Sequence, residues 1–126
     1  MDLKMEVLDL AKRYNKFQND VGQFSDIDID HVITTLFAES FKKTANGIPL
    51  VAQRNTLKDQ LFAVREHAGK WTIDVKELME FQNMYRCFIR YHLKSINLGT
   101  FDVMATLRMN PTGLIEEIDE VYYQVP

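Results

Sequence analysis

The chain is short of the features that most quickly assign a protein to a class. It holds a single cysteine, Cys87, among 126 residues, so it can form no internal disulfide, and a reducing, cytoplasmic setting is expected. It has no surplus of positive charge. Its 15 Lys and Arg face 18 Asp and Glu, a net charge of −3, which leaves no concentrated basic face for nucleic acid. Apolar residues never run on for the ~18 positions that a membrane helix needs, so no membrane span is expected. The amino terminus, MDLKMEVLDLAKRY, scatters charge through its apolar positions and predicts no secretory leader. Internal repeats and low-complexity linkers are missing too, so residues 1–126 are expected to form one domain. There is no glycine-rich phosphate cradle, paired metal-ligand motif or nucleophile elbow, and the expectation is of no cofactor and no metal.

The residues that are present have ordinary globular proportions, 46% hydrophobic and 26% charged. A chain of this length buries roughly two-thirds of its unfolded surface and needs no staples. Leu3, Val7, Leu10, Ala11, Tyr14, Phe17 and Val21 fall at helical spacing, with Gly22 just past the end, which predicts an amphipathic helix. In SDIDIDHVITTLF a helix is predicted from near Asp28, its amino-terminal turn favoured by aspartates, with Val32, Ile33, Leu36 and Phe37 on the buried face. A calcium loop over Asp26, Asp28 and Asp30 fails, because His31 replaces the required glycine and Phe37 the bidentate glutamate.

Asn46-Gly47 in FKKTANG marks a hairpin, since both residues tolerate positive φ. After Gln53 a third helix is expected, capped by Thr56 with Asp59, presenting Leu57, Leu61 and Val64, and ending at Gly69. Everything beyond alternates with the period of strands. Trp71, Ile73 and Val75 keep phase, then slip to Leu78, which predicts a bulge near Lys76-Glu77. Tyr85, Cys87, Ile89, Tyr91 and Leu93 share one face of the next strand. Met84, Arg86, Phe88, Arg90, His92 and Lys94 share the other. Phe101, Val103, Ala105, Leu107 and Met109 form the apolar side of a further strand, and LIEEIDEVYYQV closes the chain. The result is an α+β fold, three N-terminal helices packed on a curved, mostly antiparallel sheet that encloses a cone.

This order of elements resembles the nuclear transport factor 2-like superfamily, the cystatin-like cone shared with ketosteroid isomerases, SnoaL-type polyketide cyclases and scytalone dehydratase. The resemblance is carried by AKRYNKF, by LFAESF at Leu36–Phe41, by RNTLKDQL and by TLRMNPTGLIEEI at Thr106–Ile118, where Leu107 stands in place of the usual aromatic. It implies that chemistry, if any, takes place inside the cone. In the isomerases a tyrosine of the first helix holds the substrate oxygen, and Tyr14 matches it. The isomerase base falls near Ala45 and the second acid at Ala105, so both carboxylates are missing and FKKTANG is not the rim of an isomerase site. The resemblance also implies a homodimer formed through the sheet.

Each candidate residue carries a functional and a bland reading. Tyr14 orients a ligand oxygen or is a satisfied core tyrosine. Glu117 and Asp119 lie on a last strand of ambiguous phase. Either one acid faces the cavity, with its pKa raised by desolvation, or a bulge turns all of them outward. Phe17, Phe37, Trp71, Tyr85, Tyr91 and Tyr122, with Ala105, line a pocket for a small apolar or aromatic ligand, or simply fill it. Arg86, Arg90, His92 and Lys94 bind an anion or partner, or pair with Asp102 and the last strand's acids. Cys87 reads as a buried small hydrophobe. Three functions remain open: a small-molecule-binding protein; a cofactor-free isomerase, cyclase or lyase using Tyr14 with Glu117 or Asp119; and a dimeric interaction module with a packed cone.

Overall fold

A computed structural model describes residues 3–82 and 85–126. Helix α1 (Leu3–Gly22) and helix α2 (Ile29–Leu36) lead into strand β1 (Phe37–Ala45) and strand β2 (Ile48–Val51). A short 3-10 turn (Arg54–Thr56) opens helix α3 (Leu57–Ala68). Four long strands follow: β3 (Trp71–Glu80), β4 (Arg86–Ser95), β5 (Gly99–Met109) and β6 (Ile115–Gln124). The six strands form one curved, open sheet in the order β2-β1-β6-β5-β4-β3, antiparallel except where β1 meets β6. Three helices on a curved, mostly antiparallel sheet is the α+β cone expected from the sequence.

The apolar stripe of α1 supplies much of the core: Val7, Leu10, Ala11, Tyr14, Phe17 and Val21 are all buried. Apolar residues recurring every three or four positions put one helical face against the sheet, and that burial is the main stabilising term. The Leu3 side chain, expected on the same stripe, lies outside the described residues, as does Met84. Gly22 ends α1 beneath Trp71, where a Cβ would fall 2.3 Å from the indole Nε1. The indole N–H donates to the Gln18 carbonyl at 3.0 Å, which ties the start of β3 to the last turn of α1.

Asp28 caps α2 by accepting from the His31 backbone N–H at 3.1 Å, as its acidic run predicts. Phe37 does not continue that helix. Its dihedrals are extended (φ −113°, ψ 142°), and it opens β1 as a fully buried core residue. Thr56 does not cap α3 either. It sits inside the 3-10 turn with near-helical dihedrals, and its hydroxyl donates back to the Gln53 carbonyl at 2.9 Å. A capping side chain needs extended backbone to reach forward, and here the preceding turn removes it. Asn46 and Gly47 both take positive φ at the β1–β2 turn, and Gly69 (φ 68°) closes α3.

Two bulges set the phase of the sheet. Opposite β4, Val75 pairs with Tyr91 and Glu77 with Arg90, so Lys76 is the extra residue expected in β3. Opposite β5, Met109 pairs with Ile115 but Arg108 pairs with Glu117, so Glu116 is extra in β6. This second bulge resolves the ambiguous last strand. Ile115, Ile118 and Glu120 turn inward, while Glu117, Asp119 and Val121 face out.

Candidate functional site

The interior of the cone holds a cluster of polar side chains in an otherwise apolar setting. Tyr14 and Gln18 stand four residues apart on α1, so both point at the sheet. On β1, Lys43 keeps phase with buried Phe41 and Ala45, and alternation alone sends its side chain inward. Tyr91 lies on the inward face of β4, and the β6 bulge brings in Glu120.

Lys43 Nζ lies 3.4 Å from Glu120 Oε1, with 7% and 8% of the two side chains exposed. The Tyr91 hydroxyl has two acceptors in reach, Gln18 Oε1 at 3.2 Å and Glu120 Oε2 at 3.3 Å, and a single proton to give. Among the described residues the other end of the Gln18 amide, Nε2, is buried without a partner, and the Tyr14 hydroxyl makes no hydrogen bond of normal geometry. It is nevertheless near enough to Lys43 and Glu120 to feel both charges.

Burial fixes the protonation states. It pushes the Tyr14 and Tyr91 phenols above their ordinary range, and the Glu120 charge adds to the effect on each. For Lys43, burial pulls the ammonium down, but Tyr14 and Glu120 together outweigh it and hold the group above its ordinary value. At neutral pH the two phenols are therefore neutral and Lys43 is an ammonium.

A cavity of about 210 Å³ runs from this cluster to the surface. Gln18, Lys43, Tyr91 and Glu120 form its polar end, and Leu61, Ala68, Trp71, Leu93 and Val103 form its walls. At the mouth stand Leu50, Val64, Leu98 and Tyr122. Gln60 of α3 also lines it, and its Oε1 is buried and has no partner among the described residues.

Of the pocket residues expected from the sequence, Trp71, Tyr91 and Tyr122 meet at this cavity. Tyr14 stands beside it in the core, edge-on to Phe37 at 6.0 Å. Phe37 is wholly buried, 4.7 Å from the Phe41 ring. Phe17 lies instead along a separate groove between α1 and α2, with Asp20, Ile27 and Val32. Ala105 is buried in the sheet directly opposite Glu120, and Tyr85 packs half-buried on the edge of the core. Glu117 is not in the cavity: on the outer face it meets Arg108 Nη2 at 3.4 Å. Asp119, also outward, is exposed. The acid that faces the cavity is Glu120. Gln18, Lys43 and Glu120 were missed. Lys43 and Gln18 carried a signal, lying in phase with Phe41 and Tyr14, but their polarity masked it.

The outer face of the sheet is laced with charge. Arg90 grips Asp102 with two hydrogen bonds, at 3.1 and 2.8 Å, and the Tyr123 hydroxyl donates to the same carboxylate at 2.9 Å. His92 stands 3.8 Å from Asp102, and Lys94 3.6 Å from Asp74. Between these pairs lie exposed Met79 and Val121, with half-buried Phe88 and Met104.

No protein-family model and no curated protein sequence matches the chain. Solved structures do. A SnoaL-like family protein from Agrobacterium tumefaciens superposes with a TM-score of 0.77 at 11% identity, over 94% of this chain and 98% of that one. An NTF2-like protein of unknown function from an Exiguobacterium species gives 0.74 at 18%, over 92% and 99%. The fold is the one these SnoaL-like and NTF2-like proteins have. An epoxide hydrolase/cyclase-like enzyme of pyran ring formation in the polyether salinomycin shares it, at a TM-score of 0.70 and 15% identity over 98% and 95% of the chains. At these identities the likeness is one of architecture. In this cone Ala45 and Ala105 are buried, and Lys43 and Glu120 supply the charge.

Proposed function

We propose that this chain is a small-molecule-binding protein of the SnoaL-like fold, holding a small, largely apolar ligand with one polar group in the cone against Lys43, Glu120, Tyr91 and Gln18. The observation that carries this reading is an ion pair buried at the closed end of an apolar cavity, beside an amide N–H donor that has no partner. Withdrawing two charges from water costs several kcal/mol per ion, and a cavity left open beside them gives the packing nothing in return. A ligand that fills the cavity and accepts from Gln18 offsets both costs. Trp71, the sole tryptophan, forms part of the wall and reports occupancy. Titration with cyclohexanol and phenol should change its emission saturably, and Gln18→Leu should weaken that binding about tenfold. An unsaturable response to both compounds contradicts the reading.

A second reading is an isomerase, cyclase or lyase without a cofactor, in which Glu120 is the cavity carboxylate and Tyr14 an oxygen-holding phenol. It is favoured by the grouping of a carboxylate, an ammonium and a neutral phenol, which could move a proton and stabilise the oxyanion that results. In that case Tyr14→Phe lowers turnover at least tenfold, and Glu120→Gln abolishes it while ligand still binds.

We further propose a homodimer through the outer sheet face, where Met79, Phe88, Met104 and Val121 lie between rows of paired charge. Phe88→Glu should shift the mass seen by light scattering from dimer to monomer. If that change matters more to function than any cavity substitution does, the chain is an interaction module. The buried, lone Cys87 supports a reducing, cytoplasmic setting. Among the described residues no helix is long and apolar enough to cross a membrane.

A further inference from the structure

The cavity is graded from end to end. Among the described lining residues, Lys43 and Glu120 are the one Lys/Arg and the one Asp/Glu, and they face each other as an ion pair. What remains on the lining is hydrogen-bonding capacity of both kinds. Among the described residues, Gln18 Nε2 at the polar end is a buried donor without an acceptor, and Gln60 Oε1 on the α3 wall is a buried acceptor without a donor. At the opposite end the rim is apolar yet exposed, with Leu50 at 39%, Val64 at 37%, Leu98 at 44% and Tyr122 at 43%. Ile48 and Ile96, in the same hairpin strand and the same turn, continue the apolar surface outward at 62% and 75%.

Resting on the ligand-binding reading above, we propose that the ligand is an uncharged amphiphile. Its head, an alcohol or a carboxamide, accepts from Gln18 and donates to Gln60, and its hydrocarbon tail leaves the cavity across Leu50, Val64, Leu98 and Tyr122. A charged head is disfavoured twice over. A carboxylate must compete with Glu120 for Lys43, an ammonium must compete with Lys43 for Glu120, and either adds a net charge to a cavity whose own charges already cancel. A head that only accepts satisfies Gln18 but leaves the Gln60 oxygen buried and unpaired, at the penalty of a lost hydrogen bond. The tail follows from size. At about 210 Å³ the cavity is smaller than the ~300–1,000 Å³ that ordinarily enclose a ligand, so a longer molecule must run out over the rim. There it covers apolar side chains that water now touches.

The test is a panel of equal chain length (decanol, decanamide, decanone, decanoate and decylammonium), each titrated below its micelle concentration and read by Trp71 emission and calorimetry. Decanol and decanamide should bind about tenfold or more tighter than decanoate and decylammonium at neutral pH, with decanone between. Gln60→Leu should bring decanamide to the level of decanone without weakening decanone. Val64→Glu, at the exposed rim, should weaken every member of the panel by a larger factor than it weakens cyclohexanol. Decanoate or decylammonium binding as tightly as decanol overturns the proposal. So does failure of the whole panel while cyclohexanol still binds, a result that leaves the ligand-binding reading intact. If neither the panel nor the compact fragments bind, both fall.

Discussion

Lys43 Nζ and Glu120 Oε1 face each other at 3.4 Å across the closed end of the cone, each side chain less than a tenth exposed. Removing one partner strands the other in a low-dielectric site. Lys43→Met should therefore destabilise the protein by about 3–5 kcal/mol, whereas Lys43→Met combined with Glu120→Leu should recover most of the loss. Urea denaturation of both single variants and the double variant measures the coupling. A single variant costing under about 1 kcal/mol would show that water already reaches the pair.

The same cluster governs alkaline stability. Lys43, Tyr14 and Tyr91 all have folded pKa values raised above their ordinary ones, 10.5 for the lysine and 10.0 for the phenols. A raised pKa gives stability that is fully present below the unfolded value and lost as pH climbs towards the folded one. The urea midpoint should not change on their account from neutrality to about pH 9, and should fall above about pH 10. Tyr91→Phe should flatten that alkaline limb. The acid limb belongs to other groups. Asp102, held low chiefly by its hydrogen bonds from Arg90, contributes above its unfolded 3.8 and loses that contribution as pH falls through its folded value. Asp102→Asn should flatten the acid side alone.

Gly22 is required for space. A methyl group there would lie 2.3 Å from Trp71 Nε1 and 2.4 Å from Cδ1, on an indole that is buried and hydrogen-bonded to Gln18. Gly22→Ala should cost about 1–3 kcal/mol, the usual cost of overpacking, and shift Trp71 emission as the ring gives way. A thermal melt and an emission spectrum on one sample decide it. An unchanged spectrum with unchanged stability would place Trp71 elsewhere.

Cys87 should be inert. It is fully buried on the inward face of β4, and burial pushes its thiol up to about 12, which leaves almost no thiolate near neutrality. An aromatic disulfide reagent should label it only after denaturant is added. Fast labelling of the native protein would mean that β4 is open.

Most of the architecture was legible because its signals were local. The α1 stripe, the Asn46-Gly47 turn, the stop at Gly69 and the slip at Lys76 each rest on spacing or on backbone freedom within a few residues. The site was legible only in part, since it depends on pairing across the sheet. Trp71 and Tyr91 were recognisable as aromatics in inward phase, whereas Tyr122 lay on the last strand, whose phase was ambiguous. Glu120 was not, because the inserted Glu116 shifts the phase of β6, and only the β5 register shows on which side of it each acid lands. Glu117 and Asp119 fell on the wrong side of that bulge. Lys43 was readable as inward from Phe41 and Ala45, yet a lysine is rarely buried without a partner, and its partner is contributed by a strand distant in sequence.

The most direct test is native mass spectrometry of freshly purified protein beside Val64→Trp, a substitution at the exposed rim that closes the mouth without touching the core. Binding in the cone predicts a non-covalent mass on the unmodified protein, native or supplied as decanol, that disappears on denaturation and is absent from Val64→Trp. Equal occupancy of the two proteins, or no retained mass on either after incubation with decanol and cyclohexanol, would contradict it.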